Sequence, residues 1–495
     1  MTIPFKNVPS NLRIPLFYAE LDPSRANTAA RAQRTLLIGQ KTAAGTLTAD
    51  VPVIARSQSD ARAAAGAGSI LAAMIDAYRG ADSFGELWLL PIADDAGGTA
   101  ATGTITFTGP TTATGTLALY VAGQLLRLVI ASGQTATQVA TTVVTAITAA
   151  IDLPVTATSA AGVVTLTAKN KGEGGNDIDV RVNYRGSAGG EALPAGLGAT
   201  IVAMAGGATN PSLAAGLANL LDTEFDFIAC ALTDATSLAA ITTLLNDTTG
   251  RWSWSAQVYG HCFIAKRGSA GSAASFATAL NNQHLSVIPF NDSPSPPWAW
   301  AAAFTGTAAG ALRADAGLTL QSLTVPGILP PPLPSRYPAS VRNNTLLYGG
   351  CSAWSVDATG TIVIENIVTT YVTNAQGQAD DSYLEVETMY LLPFVLRRMR
   401  DVVTTKYARV KLADVGTRLL PGRPVVTTDT IRGDLIAAYR QLEAEGFVQG
   451  ADAFSANLIV ERNANNRNRV DVLWPAVLIN NLRVFALLAQ FRHAA

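Results

Sequence analysis

The sequence has few cysteines, few histidines and little charge. Of 495 residues, 14% are charged, and 35 Lys and Arg against 36 Asp and Glu leave a net charge of −1. A charge so near zero excludes nucleic-acid binding by bulk electrostatics. The three cysteines, Cys230, Cys262 and Cys351, are widely spaced, which excludes a disulfide framework and a cysteine-based metal site. The three histidines, His261, His284 and His493, are not paired at a metal-binding spacing, which makes a zinc site improbable. We expect no metal, no cofactor and no direct nucleic-acid contact.

Targeting signals and long uninterrupted apolar runs are also lacking. The N-terminus has two prolines before residue 10 and no apolar stretch behind a basic start, as a secretory signal would have. The long uncharged stretch 192–221 is broken by Gly and Pro before an apolar helix of about 20 residues could form. We expect no membrane insertion and folding in a reducing cytoplasm.

No set of residues matches a known catalytic motif. There is no phosphate-binding G-x-x-x-x-G-K-[ST] loop. His261 and Cys262 are interpreted as core strand residues rather than as a base and a nucleophile. Loop 171–177 could offer oxygens to a cation, but it is interpreted as a Gly-rich hairpin turn. Core or interface packing, rather than a carbohydrate platform, is predicted for Trp252, Trp254, Trp298 and Trp300. We expect no enzymatic activity.

Composition predicts an α/β core interrupted by an insertion. Residues 97–207 are rich in Thr, Ala and Gly, and they alternate with the period of strands at 104–108 and 163–167. They are predicted to form an inserted β-rich domain with one helix near 136–150. On either side, short apolar strands alternate with helices of about ten residues. This rhythm predicts a mostly parallel sheet in a discontinuous core domain formed by 35–96 plus 208–326.

A Pro-rich linker at 327–338 precedes a more highly charged C-terminal region. We predict an α+β inner domain over 339–475. Its strongest β signal is a hairpin in which 457–462 and 469–474 flank an Asn-rich turn.

Two helices are predicted within this C-terminal domain. The first covers about 382–406, with acidic residues in its opening turns and arginines later, as the helix dipole favours. The second begins with Thr430 as N-cap and ends at Gly446.

Both ends of the chain are predicted to be extended arms that lack a local core, residues 1–34 and 476–495. Apolar residues alternate in both arms, as in an edge strand, although part of the second also fits a helix. The alternating residues are Leu12, Ile14, Leu16 and Tyr18 in the first arm and Leu482, Val484, Ala486 and Leu488 in the second.

Several segments resemble the tail sheath protein of contractile-tailed bacteriophages, most closely that of Mu-like phages. The resemblance is strong near both ends and weak across the insertion. Its segments are NLRIPLFYAELDPSRAN (11–27), AGALRAD (309–315), LLYGGCSAW (346–354), NIVTTYVTNAQGQADDSYLEVETM (366–389), TTKYARVKLADVGTR (404–418) and LIVERNANNRNRVDVLWPAVLINNLRVFALLAQFR (458–492).

This resemblance implies a subtilisin-like but catalytically inert α/β core. In Gly306-Thr307-Ala308, an alanine stands where a protease Gly-Thr-Ser would place its nucleophile. The resemblance also implies a virion protein, assembled in the host cytoplasm as a homo-oligomer of hexameric rings stacked helically around the tail tube. The tail tube protein, baseplate proteins and tail terminator proteins are the expected partners. Contraction of the sheath would drive the tube through the host envelope for DNA ejection.

The resemblance further implies that neighbouring subunits exchange strands. The alternating residues of the two arms would be the donors. The receiver would be the C-terminal hairpin, through Leu458, Val460, Arg462, Val470, Val472 and Trp474. The C-terminal domain would face the tube, and the insertion 97–207 would face outward.

Two other classes of protein remain open at this point. One is a subtilisin-like serine hydrolase, which would react with serine-directed inhibitors. The other is a non-contractile tail tube or adhesin-like structural protein, although the α/β rhythm and the length of the chain argue against it.

Overall fold

The computed structural model describes residues 33–418, 420 and 422–493. The predicted N-terminal donor residues Leu12, Ile14, Leu16 and Tyr18 lie outside these described residues.

The first described segment forms one half of an α/β core. Its elements are β1 (Thr35–Gln40), β2 (Val53–Ile54), α1 (Gln58–Ala65), α2 (Ile70–Ala81) and β3 (Leu87–Ile92). Every residue of β1 is buried, as expected of a central parallel strand covered on both faces. Ser69 begins α2 by accepting a hydrogen bond from the amide of Ala72.

Two small antiparallel sheets and one helix make up the insertion. The elements are β4 (Thr102–Thr108), β5 (Gly115–Val121), β6 (Gln124–Ile130), α3 (Ala136–Ala149), β7 (Val155–Ala160), β8 (Val163–Ala168), β9 (Val180–Val182) and β10 (Gly198–Ala205). The sheet orders are β10-β4-β8-β7 and β6-β5-β9. The strands predicted at 104–108 and 163–167 and the helix near 136–150 are confirmed. Loop 171–177 is not a hairpin turn, because its short 3₁₀ helix connects β8 to β9 in the other sheet.

The chain then returns to complete the core sheet. The added elements are α4 (Ala214–Ala218), β11 (Phe227–Cys230), α5 (Ala235–Leu245), β12 (His261–Arg267), α6 (Ala270–Leu280), β13 (Leu285–Phe290) and α7 (Pro297–Ala314). The strand order is β13-β12-β11-β1-β3-β2, and all neighbours are parallel except β2 and β3. The predicted mostly parallel sheet is therefore confirmed.

Helix α7 is the central helix of the core, and no helix is predicted there from the sequence. Twelve of its eighteen residues are buried, so its apolar residues do not fall on one face. Trp298 and Trp300 lie on this helix with 2% and 0% exposure, which confirms core packing for this pair. Trp254, in contrast, is 84% exposed.

Residues beyond the predicted linker still pack on the core. Their elements are α8 (Ala339–Val341), β15 (Ala353–Val356) and β16 (Ile362–Asn366), and β16 pairs with β14 (Thr324–Val325), which precedes the linker. The amide of Ser352 donates to the carbonyl of Val287, and that of Thr370 donates to Leu285. Trp354 joins the core hydrophobic cluster. The core cluster extends as far as Tyr390 of the following helix, and the C-terminal cluster begins at Leu391. The domain limits read from the sequence stay a prediction.

The C-terminal region has its own hydrophobic cluster, centred on Tyr439, Phe454 and Trp474. Its elements are α9 (Val386–Tyr407), β17 (Lys411–Leu412), β18 (Val425–Val426), α10 (Thr428–Ala444), β19 (Val448–Gln449), α11 (Ala451–Asn457), β20 (Ile459–Arg462), β21 (Val470–Leu473) and β22 (Val477–Leu478). Among the residues described, no helix has the length and apolarity that a membrane crossing requires.

The start of α10 corrects one prediction. Its N-cap is Thr427, whose hydroxyl accepts from the amide of Thr430, so Thr430 is the third residue of the helix. Thr427 and Thr430 compete for this role in the sequence because both are good N-cap residues. The predicted end of the helix at Gly446 is confirmed, and this glycine has a φ of 83°.

Candidate assembly surface

The predicted C-terminal hairpin is present and offers two free strand edges. β20 and β21 are antiparallel, with Val460 opposite Val472 and Arg462 opposite Val470. In the turn, the Asn463 side chain accepts hydrogen bonds from two following amides. Within the described part of the chain, no third strand pairs with the hairpin. Its outer N–H and C=O groups can therefore accept a strand from another chain.

The two faces of the hairpin differ in exposure. Four of the six predicted receiving residues belong to or pack against the C-terminal cluster: Leu458, Val460, Val470 and Trp474. Val472 is 43% exposed. Arg462 forms an ion pair with Asp414, whose oxygen lies 2.6 Å from the guanidinium. The predicted receivers are thus present at the hairpin, but most of their side chains also stabilise the subunit itself.

The most exposed apolar residues of the hairpin are ones that the sequence analysis did not single out. Ile459 is 49% exposed and Leu473 is 60% exposed. They lie opposite each other across the two strands. The available signal was that both alternate with the predicted receiving residues, which places them on the opposite face.

An apolar groove of about 570 Å³ lies beside β21, between α9 and α10. Several of its residues are partly exposed, including Leu396 at 41% and Val403 at 42%. On the hairpin side, the groove is lined by Val470, Val472 and Trp474. The hairpin and the groove form one continuous surface that is largely apolar.

The part of the C-terminal arm that follows β22 is rich in apolar side chains, most of which are exposed to solvent. From residue 479 onward, the described residues form no helix or strand. All four predicted donor residues are exposed: Leu482, Val484, Ala486 and Leu488. Phe485, Leu487 and Phe491, at 81%, 78% and 81% exposure, extend this surface. The predicted arm 476–495 does have a local partner at its start, because Ala476 and Leu478 pack on the C-terminal cluster and β22 pairs with β19. From residue 482 onward, the predicted donor side chains are exposed on their own described chain.

An ionic joint connects the core to helix α9. Arg397 contacts Asp226 at 2.5 Å, and its guanidinium also lies 3.6 Å from Glu224. Arg397 and Asp226 are 8% and 4% exposed. Tyr390, about two helical turns before Arg397, stacks on Phe227 of β11 with ring centroids 4.6 Å apart. Helix α9 is therefore held directly against the core sheet.

The residues considered for catalysis are enclosed in the core. His261 Nε2 lies 2.8 Å from Ser286 Oγ, which itself donates to the carbonyl of Val368. Burial lowers the pKa of His261 to about 3, and its Nδ1 has no hydrogen-bond partner among the described residues. A catalytic triad requires an acid at that nitrogen and access for substrate. Burial of Cys262 likewise raises the pKa of its thiol well above the usual value.

The position where many parallel α/β sheets bind ligands is filled by the insertion. Such sites lie at the carboxyl ends of the strands. There, Asp94 accepts hydrogen bonds from Gln40 at 2.7 Å, from the Asn170 side chain at 2.9 Å and from the Lys171 amide at 3.0 Å. Across the described ranges, no group of three or more His, Cys, Asp or Glu side chains could hold a metal ion.

Family models and a curated relative match this chain over nearly its whole length. The models are the phage tail sheath protein beta-sandwich domain over residues 96–199, the central domain over 206–370 and the C-terminal domain over 378–492. The Mu-like prophage FluMu tail sheath protein of Haemophilus influenzae is 38% identical over 493 residues, covering 99% of this chain and 100% of that protein.

Solved structures resemble the fold of this protein at low sequence identity. The anti-feeding prophage helical sheath in its contracted state is 11% identical, with a TM-score of 0.50 over 97% of this chain and 99% of that one. A sheath tail protein from Listeria innocua is 12% identical, with a TM-score of 0.48 over 91% of this chain and 92% of that one. The first likeness supports a sheath-like mixed α/β fold.

Proposed function

Because the chain belongs to the phage tail sheath protein family, we propose that it is the repeating subunit of a contractile sheath around a phage tail tube. The observation that carries this proposal is that one chain offers both a hairpin with free edges and an exposed apolar arm. The core would be a subtilisin-like α/β domain without catalytic activity. The assembled protein would be a virion component built in the host cytoplasm.

Strand exchange would link the subunits. The C-terminal arm, through Leu482, Val484, Ala486 and Leu488, would add a strand to the hairpin of a neighbour. Main-chain hydrogen bonds would supply affinity, and alternate side chains would supply register. The N-terminal donors Leu12, Ile14, Leu16 and Tyr18 would add a second strand. A head-to-tail contact of this kind builds a helical polymer when its rotation does not close into a ring of its own.

Contraction would follow from keeping the arms paired while the folded bodies repack. An extended sheath would be the less stable arrangement, and its rearrangement would drive the tube through the host envelope for DNA ejection. The anti-feeding prophage relative is described as a helical sheath in a contracted state, which supports this mode of action. Hexameric rings, an inward C-terminal domain, an outward insertion and contacts with tube, baseplate and terminator proteins complete the proposal.

A serine hydrolase is not proposed. His261 and Ser286 are 1% and 0% exposed, and Ala308 is buried within α7. A serine-directed inhibitor should therefore leave the purified chain unlabelled. Labelling of a serine would contradict this interpretation.

Negative-stain electron microscopy of the purified full chain at several concentrations tests the proposal. We expect wide, striated, hollow tubes. A variant lacking residues 484–495 should remain a folded particle that forms no tubes. Val202→Ser is the matched control, because Val202 is 59% exposed in the insertion. Small particles from the full chain at every concentration would contradict self-assembly, and normal tubes from the truncated chain would contradict arm exchange.

A further inference from the structure

The root of the C-terminal arm makes an ionic contact with its own subunit. Arg483 Nη2 lies 2.7 Å from Glu387 Oε2 and also contacts Glu385 Oε2. Its Nη1 donates to the hydroxyl of Thr319 at 2.5 Å. One guanidinium therefore joins the arm to the start of α9 and to the segment that follows α7.

The acceptors are themselves held in place. Glu387 is 1% exposed, and its other oxygen accepts the amide of Leu320 at 2.8 Å. Glu385 is the N-cap residue of α9, and its backbone forms an isolated antiparallel β-bridge with Val368 of the core. A planar guanidinium can satisfy several fixed oxygens at once, which a lysine cannot do in the same geometry. The contact is thus directional as well as charged.

Arg483 is a largely buried side chain within a mostly exposed stretch. Before this stretch, β22 pairs with β19, and the amide of Ile479 donates to the carbonyl of Phe447. Leu482 is 71% exposed, and Val484 and Leu488 are 79% and 84% exposed. The side chain of Arg483 is 17% exposed, so its guanidinium holds this stretch to the subunit beyond β22.

We propose that Arg483 is the anchor that fixes the root of the C-terminal arm on its own subunit. Of the four predicted donor residues, Val484, Ala486 and Leu488 then lie in the part available to a neighbour, and Leu482 lies at the root. The role of the anchor rests on the proposed function, because an arm that is exchanged between subunits must leave its own subunit at a defined residue. It positions the arm and makes no contact with the neighbour. The anchor's existence can be measured on unassembled chain, apart from whether the protein forms a sheath.

Removing the guanidinium has a predictable local effect. Glu387 would remain buried beside Glu385 with no cation between them, and an uncompensated buried charge is strongly unfavourable. The arm root would then detach, because among the described residues the remaining side-chain hydrogen bond to 480–482 is a 3.5 Å approach of Gln321 to the carbonyl of Leu482, at the limit for a hydrogen bond.

Nitroxide labels measure the anchor directly. Cys230, Cys262 and Cys351 are buried, so a thiol-reactive label should attach to the exposed cysteine introduced by Leu482→Cys or by Leu488→Cys. In unassembled chain, electron paramagnetic resonance should show slow motion at 482 and fast motion at 488. In Arg483→Met, the motion at 482 should become as fast as at 488. The matched control is Arg492→Met, which removes an exposed arginine of the same arm and should change neither label.

Two outcomes would overturn the anchor: equal motion at 482 and 488 in the parent chain, or unchanged slow motion at 482 in Arg483→Met. If Arg483→Met does not fold, Arg483→Lys replaces it, because a lysine keeps the charge beside Glu387 but cannot hold all three acceptors. Intermediate motion at 482 is then expected, and parent-like motion would contradict the anchor. Electron microscopy of the same variants should show tubes with weakened helical order in Arg483→Met alone. Absence of tubes from the parent chain would count against the proposed function, while the label result would still decide the anchor.

Discussion

The α/β core and the C-terminal region with its hairpin differ in how much of their apolar surface they bury. In the core, five of the six strands of the main sheet have four to seven residues, and Trp298 and Trp300 are buried. In the C-terminal region, strands of two to four residues form isolated pairs, and Ile459, Leu473 and the arm expose apolar surface. Large exposed apolar surfaces mark interaction sites. The core thus buries its apolar side chains within one chain, whereas the C-terminal region leaves apolar surface that a neighbouring subunit would cover under the proposed function.

The largest effect should come from truncating the centre of the core. Trp300 stacks between Phe290 and Phe304, with centroids at 4.6 and 5.8 Å, and its indole donates to Ser293. Trp300→Ala should lower the free energy of unfolding by about 3–5 kcal/mol, measured by chemical denaturation. Trp254→Ala is the control, expected to change it by less than about 0.5 kcal/mol because that side chain is exposed. Similar losses in both variants would mean that burial does not distinguish these sites.

Next in size should be loss of the ionic joint between the two regions. Arg397→Met leaves Asp226 buried without its cation and should cost about 3 kcal/mol. Arg398→Met removes a neighbouring pair with Glu445, whose side chains are 38% and 32% exposed, and should cost less than about 1 kcal/mol. Denaturation of both variants gives the comparison. A joint variant as stable as the control would show that the regions are not coupled through Arg397.

The pH dependence of stability should also separate the core from the rest. The pKa of His261 is about 3 in the folded chain against an ordinary 6.5, so between these values only the unfolded state takes up its proton. Stability should therefore fall as pH drops below 6.5, by up to about 1.4 kcal/mol per pH unit from this residue, and be unaffected above it.

Parallel denaturation series of the parent chain and His261→Gln test this effect. Glutamine keeps a donor near Ser286 but does not titrate. The variant's stability should fall less steeply from pH 6.5 to 5, whatever its stability at neutral pH. Equal slopes in the two proteins would mean that His261 is not the residue responsible.

The smallest change in stability should accompany a large loss of assembly. Leu473 is 60% exposed, so Leu473→Ser should change the free energy of unfolding by less than about 0.5 kcal/mol. Under the proposed function, it should nevertheless prevent or shorten the tubes seen by electron microscopy. A loss of stability as large as that of Arg397→Met would show that Leu473 belongs to the subunit's own core.

Sequence patterns predicted most of the core because each buried parallel strand is a continuous apolar run bounded by turns. Helix α7 was missed because burial on nearly every side removes the helical periodicity. The N-cap of α10 was placed at Thr430 because Thr427 carries the same chemistry three residues earlier. Local propensity alone could not choose between them.

For the assembly surface, two strand-like runs around an Asn-rich turn predicted the hairpin, which the structure confirms. It could not show which face would pack on α10, so Ile459 and Leu473 were not singled out. The anchor at Arg483 was also beyond the sequence, because its partners lie about 100 and 160 positions away. Only the folded chain brings them together.

An arm rooted at Arg483 places its donor residues within a fixed distance of the subunit. Leu488, the last predicted donor, lies five residues past Arg483, and a fully extended chain covers at most about 3.6 Å per residue, so this donor stays within roughly 18 Å of the anchor. Two subunits joined in this way could rotate and slide, but their separation would have a geometric upper limit. The number of residues between one arginine and the donor strand would then limit how far each subunit can travel relative to the next.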